Sequence, residues 1–534
     1  MKQRRILILI LAISASLIAG LIWFNVNKEE NREENISSLF VDDSEHITSS
    51  RKESSLWLNE IYVDDMRLIY DEDQKVFFAS IRNTDEVKDL ALSWNSRKTN
   101  IALINKEIND ELLFNNDGID MLVYDKNRYF SGKLKFTTLP IINICKFDNN
   151  VHSNYDDCIF EIADASEGSL YAQYDGRVRI RGASTGSLDK PGMRLKFDSV
   201  LKGDNNTEQK YYDLFGLYPD NEFVLYTANV EKNNIRNVFS SNLWYETCSK
   251  DNQFSTDTGI YFRYVEVFIN DKYWGLGAIG NSINKRMFAV DTKTDSNKYP
   301  YENIYKANFY GHREYLDIKE YDTYSVFDQN TNKGNMEAWK PLEDFMKLLL
   351  YSKDSEALYE SVDLDNTLDI YLFLNLIQGW DNAYFDGDTK FRNLYLISKY
   401  NDADELKFMY GPWDLDRTWG REVEEDDNYT MDPTHNFEMI VTPVENLLNM
   451  GDPKIKGLIL AKYEQLRYDL WSDDNLMRML VEYEKQIYGS GAYQRDRERW
   501  PENPHVAEND LKEFKEYVLK RMAYFDEYIK EQFS

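Results

Sequence analysis

Residues 379–416 read GWDNAYFDGDTKFRNLYLISKYNDADELKFMYGPWDLD, a stretch in which acids and amides flank two strand-forming runs, LYLIS and LKFMY. A helical pattern at about Thr367 to Gln378 runs into it. Asp381 then falls just after a helix, Asn393 begins a strand, and Asp414 follows the next strand. All three can converge at one end of a hairpin. Phosphoryl transfer needs a carboxylate to orient or deprotonate a hydroxyl, hard oxygen ligands for Mg²⁺ and a cation on the phosphates, and this island supplies the first two. The alternative reading of each acid taken singly is a turn or capping residue.

Upstream, alternation in Arg177-Val178-Arg179-Ile180-Arg181 and in Met193-Arg194-Leu195-Lys196-Phe197 predicts two strands around a loop holding Gly182, Gly186 and Gly192. A helix is predicted at about Asn233 to Glu246, and YVEVFINDKYWGLGAI predicts a hairpin turning at Asn270-Asp271. After Lys285 the signals turn helical, with further runs at about Asn335 to Leu350, Pro453 to Leu470, Asp474 to Tyr488 and Glu508 to Gln532. Toward the N-terminus, IYV, MRLIY, KVFFASI and GKLKF, separated by Asp, Asn and Gly turns, predict a small β-sandwich over residues 56–138. Residues 25–55, including KEENREEN and SSRKESS, have the composition of a flexible acidic linker.

Composition narrows the classes of function. The 534 residues carry 63 Lys plus Arg against 93 Asp plus Glu, a net charge of −30, which disfavours nucleic acid as a partner. The chain has no GxSxG, HExxH, Walker or GxGxxG pattern, and its five histidines never stand at metal-ligand spacing. Three cysteines rule out a disulfide framework. A single bridge between Cys145 and Cys158 and a pair of free thiols both remain open. Ile6 to Phe24 is uncharged over nineteen residues and follows Lys2, Arg4 and Arg5. This predicts a transmembrane signal-anchor over residues 1–24 with the rest of the chain extracytoplasmic, a cleaved signal peptide being the rival.

Ordered blocks from Leu139 to the C-terminus resemble the spore-coat CotH kinase family of atypical protein kinases. They are Arg179-Ile180-Arg181-Gly182 with Lys190, Arg194 and Lys196; Phe223-Val224-Leu225 with Ile235-Arg236-Asn237; Val265 through Gly275; Trp380-Asp381; Asn393-Leu394-Tyr395-Leu396; Pro412 to Asp416; and Arg497-Glu498-Arg499-Trp500 between closing helices. The resemblance implies an α+β chain with a divergent two-lobed kinase-like fold. Its strand-rich nucleotide lobe would span 139–290 and its helical catalytic lobe 291–534, behind the β accessory domain and the anchor.

By the same resemblance, Asp381 is the catalytic base. Asn393 and Asp414 are metal ligands, with Asp416 a supporting acid. Lys196 binds phosphate, with Arg194 and Lys190 as runners-up, and Asn281 stands at the lobe junction. The implied cofactors are ATP with Mg²⁺ or Mn²⁺, and the implied substrates are Ser or Thr in basic extracytoplasmic or spore-coat proteins. The acidic run Glu422 to Asp427 is positioned to attract them. Two departures from the family pattern, Gly280-Asn281-Ser282 at the junction and Ala183 after the Arg-Ile-Arg-Gly block, support an alternative. In that reading the chain is a non-catalytic pseudokinase that binds partners at the surface or in coat assembly.

Overall fold

The computed structural model describes residues 32–534, apart from 59, 105–106, 167–169, 183–184, 199–210, 230, 293–298, 312–326, 387, 422–430, 437–441 and 503–507. The predicted anchor and the acidic run therefore lie outside the described residues. Among the described residues no helix is long and apolar enough to cross a membrane. The chain is α+β and divides into two compact units. The first comprises residues up to Arg179, Tyr264–Gly277 and Lys485–Trp500, and the second the remainder.

In the first unit, β1 (Arg32–Asn35), β2 (Phe40–Val41), β3 (Lys52–Glu53), β4 (Ile61–Val63), β5 (Met66–Arg67), β6 (Ile69–Asp71), β7 (Val76–Ser80), β8 (Ala91–Trp94), β9 (Asn100–Ile104), β10 (Ile119–Tyr124) and β11 (Arg128–Thr137) form two sheets. Their orders are β1-β8-β4-β5 and β2-β9-β10-β11-β7-β6, with β3 added beside β11. Side chains of both sheets, among them Ile61, Leu92, Trp94, Phe77, Phe78 and Phe130, share one apolar core. The predicted linker is corrected here, because residues 32–53 supply three strands. Three apolar side chains, Ile36, Leu39 and Ile47, are buried, and the Ile36 N–H donates to the Leu90 carbonyl at 2.8 Å. A charge-dense sequence holds an edge position when its few apolar residues fall on the inner face.

In chain order there follow β12 (Ile141–Lys146), β13 (Asp156–Asp164), β14 (Leu170–Arg181), β15 (Gly192–Phe197), β16 (Glu222–Tyr226), β17 (Phe262–Ile269) and β18 (Lys272–Asn281). Within the first unit β13 pairs antiparallel with both β12 and β14, and β12 runs parallel to β17. The hairpin turn sits where the sequence places it, with Asn270 and Asp271 at φ of 50° and 63°, as a two-residue turn with both central residues left-handed requires. Cys145 and Cys158 are free thiols. Cys145 faces Ile159 and Cys158 faces Lys146 across the ladder, so the two side chains leave opposite sides of the sheet.

An ion network joins these elements of the first unit. Arg67 on β5 pairs with Glu161 on β13 and with Asp271 of the turn, each at 2.6 Å, and Asn143 on β12 donates to Glu161 at 2.9 Å. Buried Arg495, on the helix Ala492–Arg499, pairs with buried Glu266 on β17.

In the second unit the end of β18 pairs with β16, and β16 with β15. A further sheet has the order β20-β19-β22-β21, with β23 beside β22. Its members are β19 (Asn303–Gly311), β20 (Phe327–Gln329), β21 (Ala383–Asp386), β22 (Asp388–Tyr400) and β23 (Leu406–Pro412). β19 and β20 correct the expectation of helix after Lys285. On β19 the consecutive residues Asn303, Ile304 and Tyr305 are all buried, which leaves no clean alternation to read. The expected helices form as Lys340–Tyr351, Leu364–Leu376, Ile455–Tyr468, Asp473–Glu484 and Glu508–Phe533, and the helix predicted near residue 233 begins at Arg236 and runs to Thr247.

Glu161 yields a pH prediction. Burial pushes its carboxyl up, but hydrogen bonds from Arg67 and Tyr171 outweigh burial and hold it below the ordinary carboxylate range. A depressed folded value contributes stability above the unfolded value and loses it as pH falls through the folded one. The first unit is expected to lose stability below about pH 4. Glu161→Gln should cost about 3 kcal/mol at pH 7, because it leaves the Arg67 charge short of a buried partner, and should flatten the acid step in urea titrations of the full chain.

Candidate active site

The site in the second unit is built from one turn laid across the ends of two strands. After the helix Leu364–Leu376 the chain reverses at Gln378, which has φ of 54°. The Gln378 amide fixes this bend by donating to the carbonyls of Asp432 and His435, while its Oε1 accepts from the Tyr517 hydroxyl at 2.6 Å. Trp380 is buried, and its indole N–H donates to the Arg421 carbonyl at 2.8 Å.

Asn382 then ties the turn to the sheet. Its side-chain amide donates to the carbonyl of Asn393 at 3.0 Å and to that of Trp413 at 2.9 Å, and its own carbonyl accepts from the Arg392 N–H. The β22–β23 ladder ends at Leu394 and Pro412, and close beyond it Asn393 and Asp414 have positive φ, of 54° and 58°. Asn and Asp tolerate this left-handed region better than other non-glycine residues.

The helix Arg236–Thr247 fixes the loop after β23. Glu231 accepts from the backbone N–H groups of Arg236 and Asn237 at 2.9 and 3.0 Å, and Asn237 Oδ1 accepts from the Leu415 N–H at 2.9 Å. Ser240 meets Thr418 and the Trp419 indole, each at 3.0 Å. A small pocket beside this contact is lined by Arg181, Tyr226, Asn237, Trp413, Asp414 and neighbouring apolar residues.

These constraints bring three carboxylates into one electrostatic cluster. Asp381 is buried; its Oδ1 accepts from Arg392 Nε at 2.9 Å and also from Nη2, and its Oδ2 accepts from Asn393 Nδ2 at 3.1 Å. Burial nevertheless raises its pKa, against the charges of Arg392 and Arg417. Asp414 is exposed on its outer side, and the loss of hydration among its neighbours, with the carboxylates of Asp416 and Asp381, pushes it up to about 6, Arg181 and Lys306 opposing. Asp416 is held by Arg421 at 2.9 Å. Among the described residues no group of three or more His, Cys, Asp or Glu is placed to hold a metal ion. The Asn393 amide, with Asp414 and Asp416, is what could supply one.

The remaining expected residues take partners of their own. Lys196 and Arg194 on β15 both bind Glu222 on β16, which lies directly across from Lys196, at 2.6 and 2.9 Å. Lys190 is buried, and its carbonyl accepts from the Thr227 hydroxyl at 2.9 Å. Asn281 is buried and donates to the Tyr218 carbonyl at 2.7 Å. The sequence reading did not place Arg181, Lys306, Arg392, Arg421 or Asn382 in the site. Arg181, Arg392 and Asn382 stand inside or beside blocks already singled out, whereas nothing in the local sequence marks Lys306.

The Asn382 clamp predicts its own mutational signature. Asn382→Ala should destabilise the full chain by about 1–3 kcal/mol, because the Trp413 carbonyl loses its side-chain donor while the Asn393 carbonyl keeps the Trp413 N–H. Asn382→Asp, which cannot donate, should do no better. Denaturation midpoints of the two variants check this.

The family model described as CotH kinase protein matches residues 178–525, a span that contains the Asn382 turn, β22, β23 and the loop of Asp414 and Asp416. A search among curated proteins returned no match. With well over half of its length matched, the chain belongs to the CotH kinase protein family.

Proposed function

We propose that the chain is a metal-dependent protein kinase of divergent two-lobed fold, transferring phosphate from ATP to Ser or Thr of extracytoplasmic or spore-coat proteins. The observation that carries the reading is the convergence of Asp381, Asn393, Asp414 and Asp416 at one end of β22 and β23, with Arg181 and Lys306 as the cations acting on Asp414. Two carboxylates and one amide oxygen suit a hard cation such as Mg²⁺ or Mn²⁺ that keeps several waters and takes its other oxygens from phosphate. Asp414, Asp416 and Asn393 would hold it, and the charge that Asp414 shares with Asp416 and Asp381 favours a cation there. Once bound, the metal would neutralise charge on the transferring phosphoryl group. Asp381 would orient the acceptor hydroxyl and take its proton at Oδ2, the oxygen Arg392 leaves open. The uncharged run Ile6 to Phe24 after three cations supports a membrane anchor with the catalytic part outside the cytoplasm.

One observation favours the second reading, a partner-binding pseudokinase. Arg392 and Asn393 together engage both oxygens of Asp381, and a permanent ion pair would silence a base. Full-length protein with ATP and Mg²⁺ or Mn²⁺ separates the two readings. The kinase reading expects metal-dependent ATP binding by calorimetry and phosphate incorporation into protein. Asp414→Asn, which keeps the left-handed backbone, should abolish the metal-dependent part of binding. Asp381→Asn should retain ATP and lower transfer by about 10²–10⁴-fold. ATP binding without any transfer would establish the pseudokinase.

Substrate choice gives a second test. With a net charge of −30, Ser peptides flanked by Lys and Arg should be phosphorylated faster than peptides with acidic flanks. The preference should shrink as salt rises and when residues 422–427 are neutralised. Equal rates for both peptides would remove the acidic charge from recognition.

A further inference from the structure

We infer that Lys306 on β19, acting with Arg181 at the end of β14, is the cation pair that holds the terminal phosphates of the nucleotide, and that Lys196 instead has a structural role. The inference rests on the phosphoryl-transfer reading of the site and assigns part of it to residues outside the expected set.

Position is the first ground. β19 lies between β20 and β22, and Lys306 stands directly opposite Tyr395 of β22, so the two side chains share a face of the sheet. The Tyr395 ring packs edge-on against Trp413 at 6.0 Å, and the Arg181 guanidinium lies over the Trp413 ring at 4.9 Å. Lys306, Tyr395, Trp413 and Arg181 thus lead across one face to Asp414, next in sequence to Trp413. Arg181 and Lys306 are the two cations that act on the Asp414 carboxylate.

Availability is the second ground. Lys196 and Arg194 are bound to one carboxylate, Glu222, their cross-strand neighbour. Lys306 is half-buried and makes no hydrogen bond or ion pair with any described residue. Its other acidic neighbour, Asp328 across on β20, is exposed and accepts from Asn308 at 2.6 Å. A half-buried ammonium lacking an ion pair is costly to keep. An anion bound beside Asp414 would give it the missing partner, and a lysine on a rigid central strand suits a phosphate as a point charge.

The test compares ligands that differ only in their phosphates. Calorimetry on the full-length protein would measure Mg-ATP and AMP binding for the parent, Lys306→Met, Lys306→Arg and Lys196→Met. The expected result is that Lys306→Met loses about tenfold or more in Mg-ATP affinity, keeps its AMP affinity, and is rescued by Lys306→Arg. Lys196→Met should lower the denaturation midpoint while preserving the ratio of ATP to AMP affinity. A Lys306→Met protein with the parent ratio, whether both affinities are intact or equally reduced, overturns the inference and leaves the kinase reading standing. A parent protein that binds no Mg-ATP overturns both.

Discussion

The site hangs on one amide. Two strand ends that carry Asn393 and Trp413 finish side by side, the Asn393 carbonyl accepting from the Trp413 N–H at 2.9 Å just past the last ladder pair. Asn382 meets the carbonyls of both residues with the two hydrogens of its side chain, at 3.0 and 2.9 Å. No other uncharged side chain of this size has two donors on one planar nitrogen beside an acceptor except glutamine, whose extra methylene would move the fork outward. Because Asn382 follows Asp381 directly, the same clamp sets the Asp381 carboxylate against Asn393. Because Trp413 precedes Asp414, it also sets where the second acid leaves the sheet. Asn237, through the Leu415 N–H, fixes the loop from the other side.

This geometry gathers negative charge, with Asp381 and Asp416 buried and Asp414 beside them at the surface. The Asp416 carboxylate raises the electrostatic cost of both Asp381 and Asp414. Local cations relieve the cost unequally. Arg392 neutralises Asp381 and Arg421 neutralises Asp416, each through short direct bonds. Asp414, whose side chain is exposed, has among the described residues the more diffuse influence of Arg181 and Lys306 and no direct ion pair. The imbalance sits at Asp414, where a bound cation would be most favourable.

Much of the fold is legible in the sequence where one face of an element is wet. Arg177 to Arg181 and Met193 to Phe197 alternate, and both are strands. Asn270-Asp271 is a hairpin turn because these two side chains accept positive φ. Elements escape the reading where that contrast fails. β19 is a central strand with consecutive buried residues, and β1 to β3 are short edges rich in Glu, Arg and Lys. The acids and amides of the site are legible because they sit within a few residues of one another on β22, β23 and the adjoining turns. Lys306 is not, since it comes from a distant strand, and its place beside Tyr395 follows from sheet pairing that no local pattern encodes.

The same distinction separates two kinds of basic residue on the second unit's strands. Lys196 stands opposite Glu222 in a regular ladder and Arg194, opposite Val224, reaches the same carboxylate diagonally, so their charges are satisfied by the register that makes the sheet. Such a cross-strand pair contributes to stability whatever the site does. Lys306 stands opposite a tyrosine on one side and, on the other, an aspartate that already accepts from Asn308, so the sheet leaves its charge unspent. A charge that the fold does not use locally is either a defect or a reserve for a ligand. Its place beside Asp414, which has no direct ion pair among the described residues, argues for the second, because a phosphate with its metal would satisfy the lysine and the aspartate at the same time.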